Sequence, residues 1–357
     1  MYYMPVKVFE EPGCVLTHRD ALASLGERAM IVTGGNSSKK NGSLNDVITA
    51  LETMGRTYVV FDEIEQNPSV DTVMKARDIA VEEGIDFFVG VGGGSPMDAA
   101  KAISLMAKHK EKDASFLFET GCDCHFPIAE VPTTCGTGSE VTPYSILTIL
   151  DKETKSSIAH KIFPDLALLE PKYLSYAPLK VLQDTAMDAL CHLYESYVNT
   201  NANDYSKMAV RRGLHVWKRS KAVLLGEHGP SMTDLSNMLR ASAFAGMAIA
   251  QTGTSIPHGL SYALTYEMGV PHGQACGRFI AGYLRKAAPE DKDFMLALGG
   301  FKDLYDLQRF YENTCGTPDV PREVIDKAVA QVAGNPSKLA NVPFEVDENV
   351  LKEIVKF

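Results

Sequence analysis

Asp188 and His192, in Asp188-Ala-Leu-Cys-His192, are four residues apart, a spacing that puts both side chains on one face of a helix. His258 and His272 each sit in a Pro-His-Gly tripeptide, fourteen residues apart, where helical periods begin. Three imidazoles and one carboxylate suit Fe(II) or Zn(II) and leave coordination positions open for a substrate oxygen. A single His or Asp at such a position is more often a satisfied buried polar group, so the spacing needs support from other motifs. Cys122, Cys124 and His125 are closer together but fall in an expected loop without a fourth ligand, and are left out of the site.

The first half offers different chemistry. Gly92, Gly93 and Gly94 follow the apolar run Phe87-Phe-Val-Gly-Val and precede Ser95-Pro96 and a helical period. Glycines let backbone amides approach a ligand without a Cβ in the way. Ser95 is a good N-cap and Pro96 suits the first helical position, so free amides at this helix start are placed to bind phosphate. Val131-Pro-Thr-Thr-Cys-Gly-Thr-Gly-Ser-Glu-Val141 also follows a strand and offers small donors for the other end of the same ligand. Alone, each run is equally a tight turn.

These residues need a frame. Apolar runs at Ala29–Thr33, Val59–Phe61 and Phe87–Val91 alternate with helical periods, one through Leu44, Val47, Ile48 and Leu51 behind a Ser43/Asp46 capping box, the next over Val70–Val81. Such alternation predicts a parallel sheet covered by helices, with ligands beyond the carboxyl ends of its strands. Ile128–Val131, Ser145–Leu150 and Ala167–Leu169 read as further strands, the middle one in a hairpin around Asp151–Lys155. After Pro171 no period-two run remains, only helical periods near 181–199, 203–225, 231–250 and 259–267. The expected architecture is an α/β, Rossmann-like nucleotide-binding domain at 1–172, followed by an all-α metal-binding domain at 173–357. The active site is expected in the cleft between them.

Composition agrees. At 357 residues the chain exceeds the roughly 250–300 residues at which a single core stops growing. With 35 basic and 45 acidic side chains the net charge is −10, which disfavours nucleic acid or an anionic membrane as partner. Seven irregularly spaced cysteines suit a reducing compartment, and no signal core or stretch of roughly 18 apolar residues is visible, so a cytoplasmic location is expected.

In this order and spacing the motifs resemble the iron-containing (group III) alcohol dehydrogenase family over most of the chain, with similarity to its NADP-dependent butanol and 1,3-propanediol dehydrogenase-like members. The matching pieces are Asn67-Pro68, Gly92 to Lys101, Pro132 to Glu140, Asp188 to His192 with Glu195, and the two Pro-His-Gly tripeptides. The resemblance implies a divalent metal, iron expected and zinc the alternative, on Asp188, His192, His258 and His272. It also implies a nicotinamide nucleotide on the two glycine loops, including Gly92, Gly93, Gly94 and Ser95. Asp98, Thr133, Thr134, Thr137 and Ser139 match positions lining the nucleotide site, and Lys155 a lysine near the nicotinamide ribose. The implied substrates are small alcohols and aldehydes, exchanged by hydride transfer, in a homodimer.

Three departures from the family pattern matter. Ala186 replaces a glycine before Met-Asp-Ala, a small change. Tyr262 stands where many members carry a further histidine of the proton relay, and is the candidate replacement. Gly34 stands where NAD-preferring members place an Asp that would bond the ribose 2′-hydroxyl and repel a 2′-phosphate. With Ser37, Ser38, Lys39 and Lys40 following as donors and charges, NADP(H) is the expected nucleotide, preferred over NAD(H). The alternatives are a glycerol dehydrogenase-like polyol enzyme with zinc and NAD, a dehydroquinate-synthase-like lyase, disfavoured for want of dense basic residues, and a non-catalytic nucleotide- or metal-binding relative.

Overall fold

The computed structural model describes residues 2–120, 124–152 and 154–357. They form two compact units. One comprises Met4–Thr134 and Ser139–Ala177; the other comprises Pro178–Phe357 together with Cys135–Gly138 and the segment ending at Tyr3.

The first unit contains strands β1 (Lys7–Glu10), β2 (Arg28–Thr33), β3 (Thr57–Phe61), β4 (Phe87–Gly92), β5 (Ile128–Pro132), β6 (Ile146–Ile149), β7 (Thr154–Ser157) and β8 (Leu166–Leu169). Six of them make a parallel sheet in the order β1-β8-β5-β4-β2-β3, and β6 and β7 pair as an antiparallel hairpin. Neighbouring residues of a strand face opposite sides, so Met30, Val32 and Phe88 enter one apolar cluster while Ala29, Ile31, Phe87 and Val89 enter the other. Burial on both faces explains why these strands read as continuous apolar runs. β1 has no such signal: it is a short, partly exposed edge strand paired with β8 far along the chain.

The chain passes from β2 outward to β3, then returns to place β4 on the other side of β2. That reversal opens a crevice beyond the carboxyl ends of β2 and β4, the standard ligand position of such sheets. Gly34 and the Gly92–Gly94 run lie at those two strand ends.

Helices of eight or more residues are numbered in chain order; the first three are α1 (Ser43–Thr53), α2 (Val70–Glu82) and α3 (Gly94–Lys108). The Ser43/Asp46 capping box does not form. Gly42, at φ 84°, occupies the N-cap without a side-chain bond, because Asp46 is drawn away to the Tyr173 hydroxyl (2.7 Å) and to Lys172 (2.7 Å). α3 likewise begins one residue before Ser95, capped by Gly93 alone, since the Ser95 Oγ accepts instead from the Asn67 amide at 3.1 Å.

Among the described residues every element after β8 is helical. The second unit contains α4 (Leu179–Tyr197), α5 (Asp204–Trp217), α6 (Met232–Thr252), α7 (Ile256–Met268), α8 (His272–Leu284), α9 (Pro289–Gly299), α10 (Leu304–Cys315), α11 (Arg322–Ala333) and α12 (Glu348–Val355). The expected helix at 203–225 stops at the buried Trp217, whose indole N–H donates to the Ala186 carbonyl of α4 at 2.7 Å. Short helical turns complete the stretch. No helix of the described residues is long and apolar enough to cross a membrane.

Candidate active site

Asp188, His192 and Glu195 occupy one stripe of α4 at positions i, i+4 and i+7, and all three are buried. α7 and α8 each bring in one histidine from their first turn: His258 follows Pro257, and His272 is the first residue of α8. Close approach of α8 to α4 depends on Gly273, where a Cβ would lie 1.8 Å from the Asp184 carbonyl oxygen and 3.0 Å from the Asp188 amide. Gly277, one turn on, passes Met187 in the same way, with its Cβ position 2.6 Å from Met187 Cγ.

The outcome is convergence on one atom. The Nε2 atoms of His258, His272 and His192 lie 3.4, 3.7 and 3.9 Å from Asp188 Oδ1. On the far side of each ring, Nδ1 is tied back: His258 to Glu195 Oε1 at 2.5 Å, His192 to the Gly136 carbonyl at 3.3 Å, and His272 to Ser261 Oγ at 3.5 Å. A proton on each Nδ1 leaves the Nε2 lone pairs facing the carboxylate, the tautomer a metal requires. Glu195 is anchored in turn, its Oε2 accepting from the Ser255 amide (2.6 Å) and hydroxyl (3.0 Å).

Asp188 Oδ1 and His258 Nε2 are buried and have no hydrogen-bond partner among the described residues. Buried polar atoms left so are costly, and a divalent cation between them would satisfy both, so the donor set fits a metal. Burial alone would push the Asp188 carboxyl up, but the positive charge that the facing imidazoles of His192, His272 and His258 carry when protonated outweighs it and holds the group below the ordinary carboxylate range. Burial also takes His192 down to about 4, keeping its ring neutral and able to donate a lone pair near pH 7. Asp188, His258, His272 and Cys276 have ligand atoms within 4.8 Å of one another.

Glu195 and Cys276 are the functional candidates that the search for ligands in the sequence did not select, although both carry a signal. Glu195 extends the Asp188–His192 stripe by one turn, and Cys276 stands four residues after His272, the spacing that singled out Asp188 and His192. Tyr262 lies beside the cluster, its ring nearly parallel to that of His272 with centroids 6.3 Å apart. Of the set left aside, Cys122 lies outside the described residues. His109 bonds the Cys124 carbonyl at 2.9 Å and His125 the Phe126 carbonyl at 2.7 Å.

In the α/β unit the two glycine loops come together: Gly93 has Thr134 side-chain atoms 3.3 Å from its Cβ position, and the Thr133 amide donates to the Gly92 carbonyl at 2.8 Å. Gly93 and Gly94 present the uncapped amides of α3. The second loop divides, Thr133, Thr134 and Ser139 staying with the α/β unit while Gly136, Thr137 and Gly138 pack with the helices. Gly138 needs its positive φ of 60° and lacks room for a Cβ, which would meet Gly246 Cα at 2.6 Å.

Several expected donors prove to be internal. Asp98 accepts from the Ser139 hydroxyl (2.6 Å) and the Ile146 amide (2.8 Å), so both side chains brace the loop. Ser38 is enclosed and accepts from the Thr33 hydroxyl at 2.8 Å, because it lies with Asn41, three residues on, along the inner face of its short helix. Lys39 is paired with Asp62 at 2.6 Å, while Ser37 and Lys40 are exposed. Gly34 is less roomy than its type suggests, since a Cβ there would lie 2.4 Å from the Ile64 carbonyl oxygen. Lys155 donates to Asn67 Oδ1 at 2.8 Å, and Asn67, with a positive φ of 61°, also receives Thr148 on its carbonyl at 2.9 Å. Asn67 thereby fastens the start of α3 to the β6–β7 hairpin, a role invisible in its residue type.

A switch-point glycine loop for a dinucleotide and a buried imidazole–carboxylate centre for a divalent metal define the class of metal-dependent dehydrogenases. Comparison with known proteins narrows this. A model of the iron-containing alcohol dehydrogenases matches residues 5–171, and a model of the C-terminal part of the Fe-containing alcohol dehydrogenase family matches residues 182–301. The 1,3-propanediol dehydrogenase of Citrobacter freundii is 32% identical over 280 residues, 77% of this chain and 72% of its own. The NADPH-dependent butanol dehydrogenase of Clostridium saccharobutylicum is 29% identical over 260 residues, 70% and 65% of the two chains. The crystal structure of an iron-containing alcohol dehydrogenase from Thermotoga maritima aligns with a TM-score of 0.91 at 34% identity, over 100% of this chain and 98% of that one. The chain belongs to the iron-containing alcohol dehydrogenase family, and its activity is that of an alcohol dehydrogenase.

Proposed function

We propose that the protein interconverts a small primary alcohol, or a diol, and its aldehyde with NADP(H) in preference to NAD(H), using one Fe(II) held by Asp188, His192, His258 and His272. The observation that carries this reading is the convergence of three Nε2 atoms on an otherwise unpartnered Asp188 oxygen. The cation supplies Lewis-acid polarisation of the substrate oxygen, and the nicotinamide accepts or returns the hydride.

The chain's own residues do the rest. Glu195, Gly136 and Ser261 hold the three rings with Nε2 toward Asp188. The amides of Gly93 and Gly94 at the start of α3 bind the pyrophosphate, next to Thr133 and Thr134. Lys155, positioned by Asn67, serves the ribose of the nicotinamide. Tyr262, beside His272, carries the proton between substrate and solvent in place of a relay histidine.

Support for NADP(H) comes from the absence of a carboxylate at Gly34, from the exposed Ser37 and Lys40, and from the likeness to an NADPH-dependent relative. Lys39 takes part only if the 2′-phosphate draws it from Asp62. A homodimer and a cytoplasmic location complete the reading; among the described residues Cys14, Cys135, Cys191, Cys276 and Cys315 are free thiols.

The deciding experiment measures metal content and nicotinamide absorbance with a panel of small aldehydes under NADPH and NADH. Metal-dependent turnover with a higher kcat/KM for NADPH is expected, and Lys40→Ala should narrow that preference. Equal efficiency with both nucleotides overturns the nucleotide assignment; a metal-loaded protein inert to the whole panel overturns the activity. Gly34→Asp is a poor probe, because its Cβ would displace the Ile64 carbonyl whatever the nucleotide.

A further inference from the structure

We propose that Cys276 is a ligand of the metal centre, its thiolate joining Asp188, His258 and His272. The proposal rests on the metal reading above and adds a donor to it. Cys276 is fully buried on α8, one turn after His272 and on the same face. Its Sγ lies 3.7 Å from His272 Nε2 and 3.9 Å from His272 Nδ1, so it is nearer the nitrogen that faces Asp188.

Ligand bond lengths decide whether one ion can join these atoms. Zn–N and Zn–O bonds of about 2.0–2.1 Å and a Zn–S bond of about 2.3 Å, set at tetrahedral angles, require ligand atoms roughly 3.3–3.6 Å apart. Observed separations are 3.4 Å for His258 Nε2 to Asp188 Oδ1, 3.7 Å for His272 Nε2 to Asp188 Oδ1, and 3.7 Å for Cys276 Sγ to His272 Nε2. All four ligand atoms fall within 4.8 Å of one another. His192 is the most distant imidazole from Asp188 Oδ1, at 3.9 Å.

The close passage of α8 over α4 at Gly273 and Gly277 brings the sulfur within 4.8 Å of the Asp188 ligand atom. Forming the S–metal bond costs the thiol its proton, which leaves to solvent, so metal uptake releases one proton more than an Asp-and-His set would. A thiolate also shifts the preference of the centre toward zinc relative to a nitrogen–oxygen set.

The test uses the full-length protein, stripped by chelator, reloaded with Zn(II) alone and examined by zinc K-edge X-ray absorption. One sulfur scatterer near about 2.3 Å beside nitrogen and oxygen near about 2.0–2.1 Å is expected. A wild-type shell of nitrogen and oxygen only overturns the proposal and leaves the proposed function standing; failure to bind zinc or iron at all overturns both. Cys276→Ser should lose the sulfur signal and the extra proton, and weaken Zn(II) binding by at least ~10-fold. Cys191→Ser, which changes a buried thiol of α4, should keep them; loss of sulfur there assigns the ligand to Cys191 instead. Should Cys276→Ser fail to fold, the wild-type spectrum and proton count decide alone.

Discussion

Glu130 on β5 and Asp188 on α4 are both enclosed carboxyls with oxygens that have no hydrogen-bond partner, and cationic or cation-capable side chains stand near each. Glu130 faces Lys101 at 3.8 Å, but that ammonium spends its donors elsewhere, on the Ser139 carbonyl and hydroxyl (both 2.7 Å) and the Tyr144 carbonyl (3.0 Å). Burial therefore dominates and pushes Glu130 up to about 8, so that the α/β unit carries it as a neutral acid. Asp188 meets three imidazoles whose other nitrogens are already tied back, and it is held below the usual range. One buried acid is left with a proton as its only ready partner, the other with imidazoles able to offset its charge. A structural acid and a proposed ligand acid are thus separated by where the neighbouring donors point, not by depth of burial.

The sharpest way to break this contrast is to neutralise each acid in turn. Asp188→Asn keeps the shape but removes the charge on which the Nε2 atoms converge; bound metal should fall to background and turnover by on the order of 10³-fold or more. Elemental analysis of the purified variant checks the first and aldehyde reduction the second. Glu130→Gln should retain both metal and activity, and a Glu130 variant without metal would erase the distinction.

Next in size is the support behind the ligand ring. Glu195→Gln leaves His258 a weaker partner at Nδ1, so the lone pair at Nε2 loses basicity and orientation. A ~10–100-fold loss of metal affinity is expected, with turnover largely recovered at saturating metal. Competition with a chelator of known affinity measures it, and an unchanged dissociation constant would remove Glu195 from the site.

Glycines in the two units provide a third comparison. At Gly273 a Cβ would lie 1.8 Å from backbone, whereas at Gly93 it would lie 3.3 Å from Thr134, a side chain that can give. Gly273→Ala should cost about 1–3 kcal/mol of stability and loosen the metal, through strain between α8 and α4. Gly93→Ala should leave metal and thermal stability nearly unchanged while raising the KM for the nucleotide, because the methyl group would crowd the phosphate amides. Equal losses of stability in both variants would contradict the packing.

Legibility in the sequence follows the same division. His258, His272, Asp188 and His192 stood out because a metal demands particular residue types at particular helical spacings. β2 and β4 stood out because strands covered on both sides are apolar throughout. What escaped depends on where the chain returns in space. Glu195 acquires its role only when His258 arrives from 63 residues away, and β1 only when β8 lies alongside it. Ser38 and Gly34 look open in the sequence because nothing in their types reveals the Thr33 hydroxyl or the Ile64 carbonyl that occupies the space beside them. The Ser43/Asp46 cap failed for a like reason, a tertiary partner for Asp46 in Tyr173.

The last effect concerns stability alone. Glu130 titrates near 8 in the folded protein and near 4.5 in the unfolded chain, so over that interval the native state holds the extra proton. Stability rises with pH only where the unfolded state binds more protons; here the sign is reversed, and Glu130 withdraws stability as pH climbs from about 4.5 through about 8. Asp188 works oppositely, its contribution being present above about 3.8 and lost as pH falls through its depressed value. Glu130→Gln removes the first slope without touching the second. Its stability relative to wild type should change little at pH 5 and be higher by several kcal/mol at pH 9, since each pH unit between about 4.5 and about 8 carries ~1.4 kcal/mol. Thermal unfolding of both proteins across that range measures the difference. A gap that stays constant with pH would mean that Glu130 is ionised in the folded protein, with Lys101 as a true ion-pair partner.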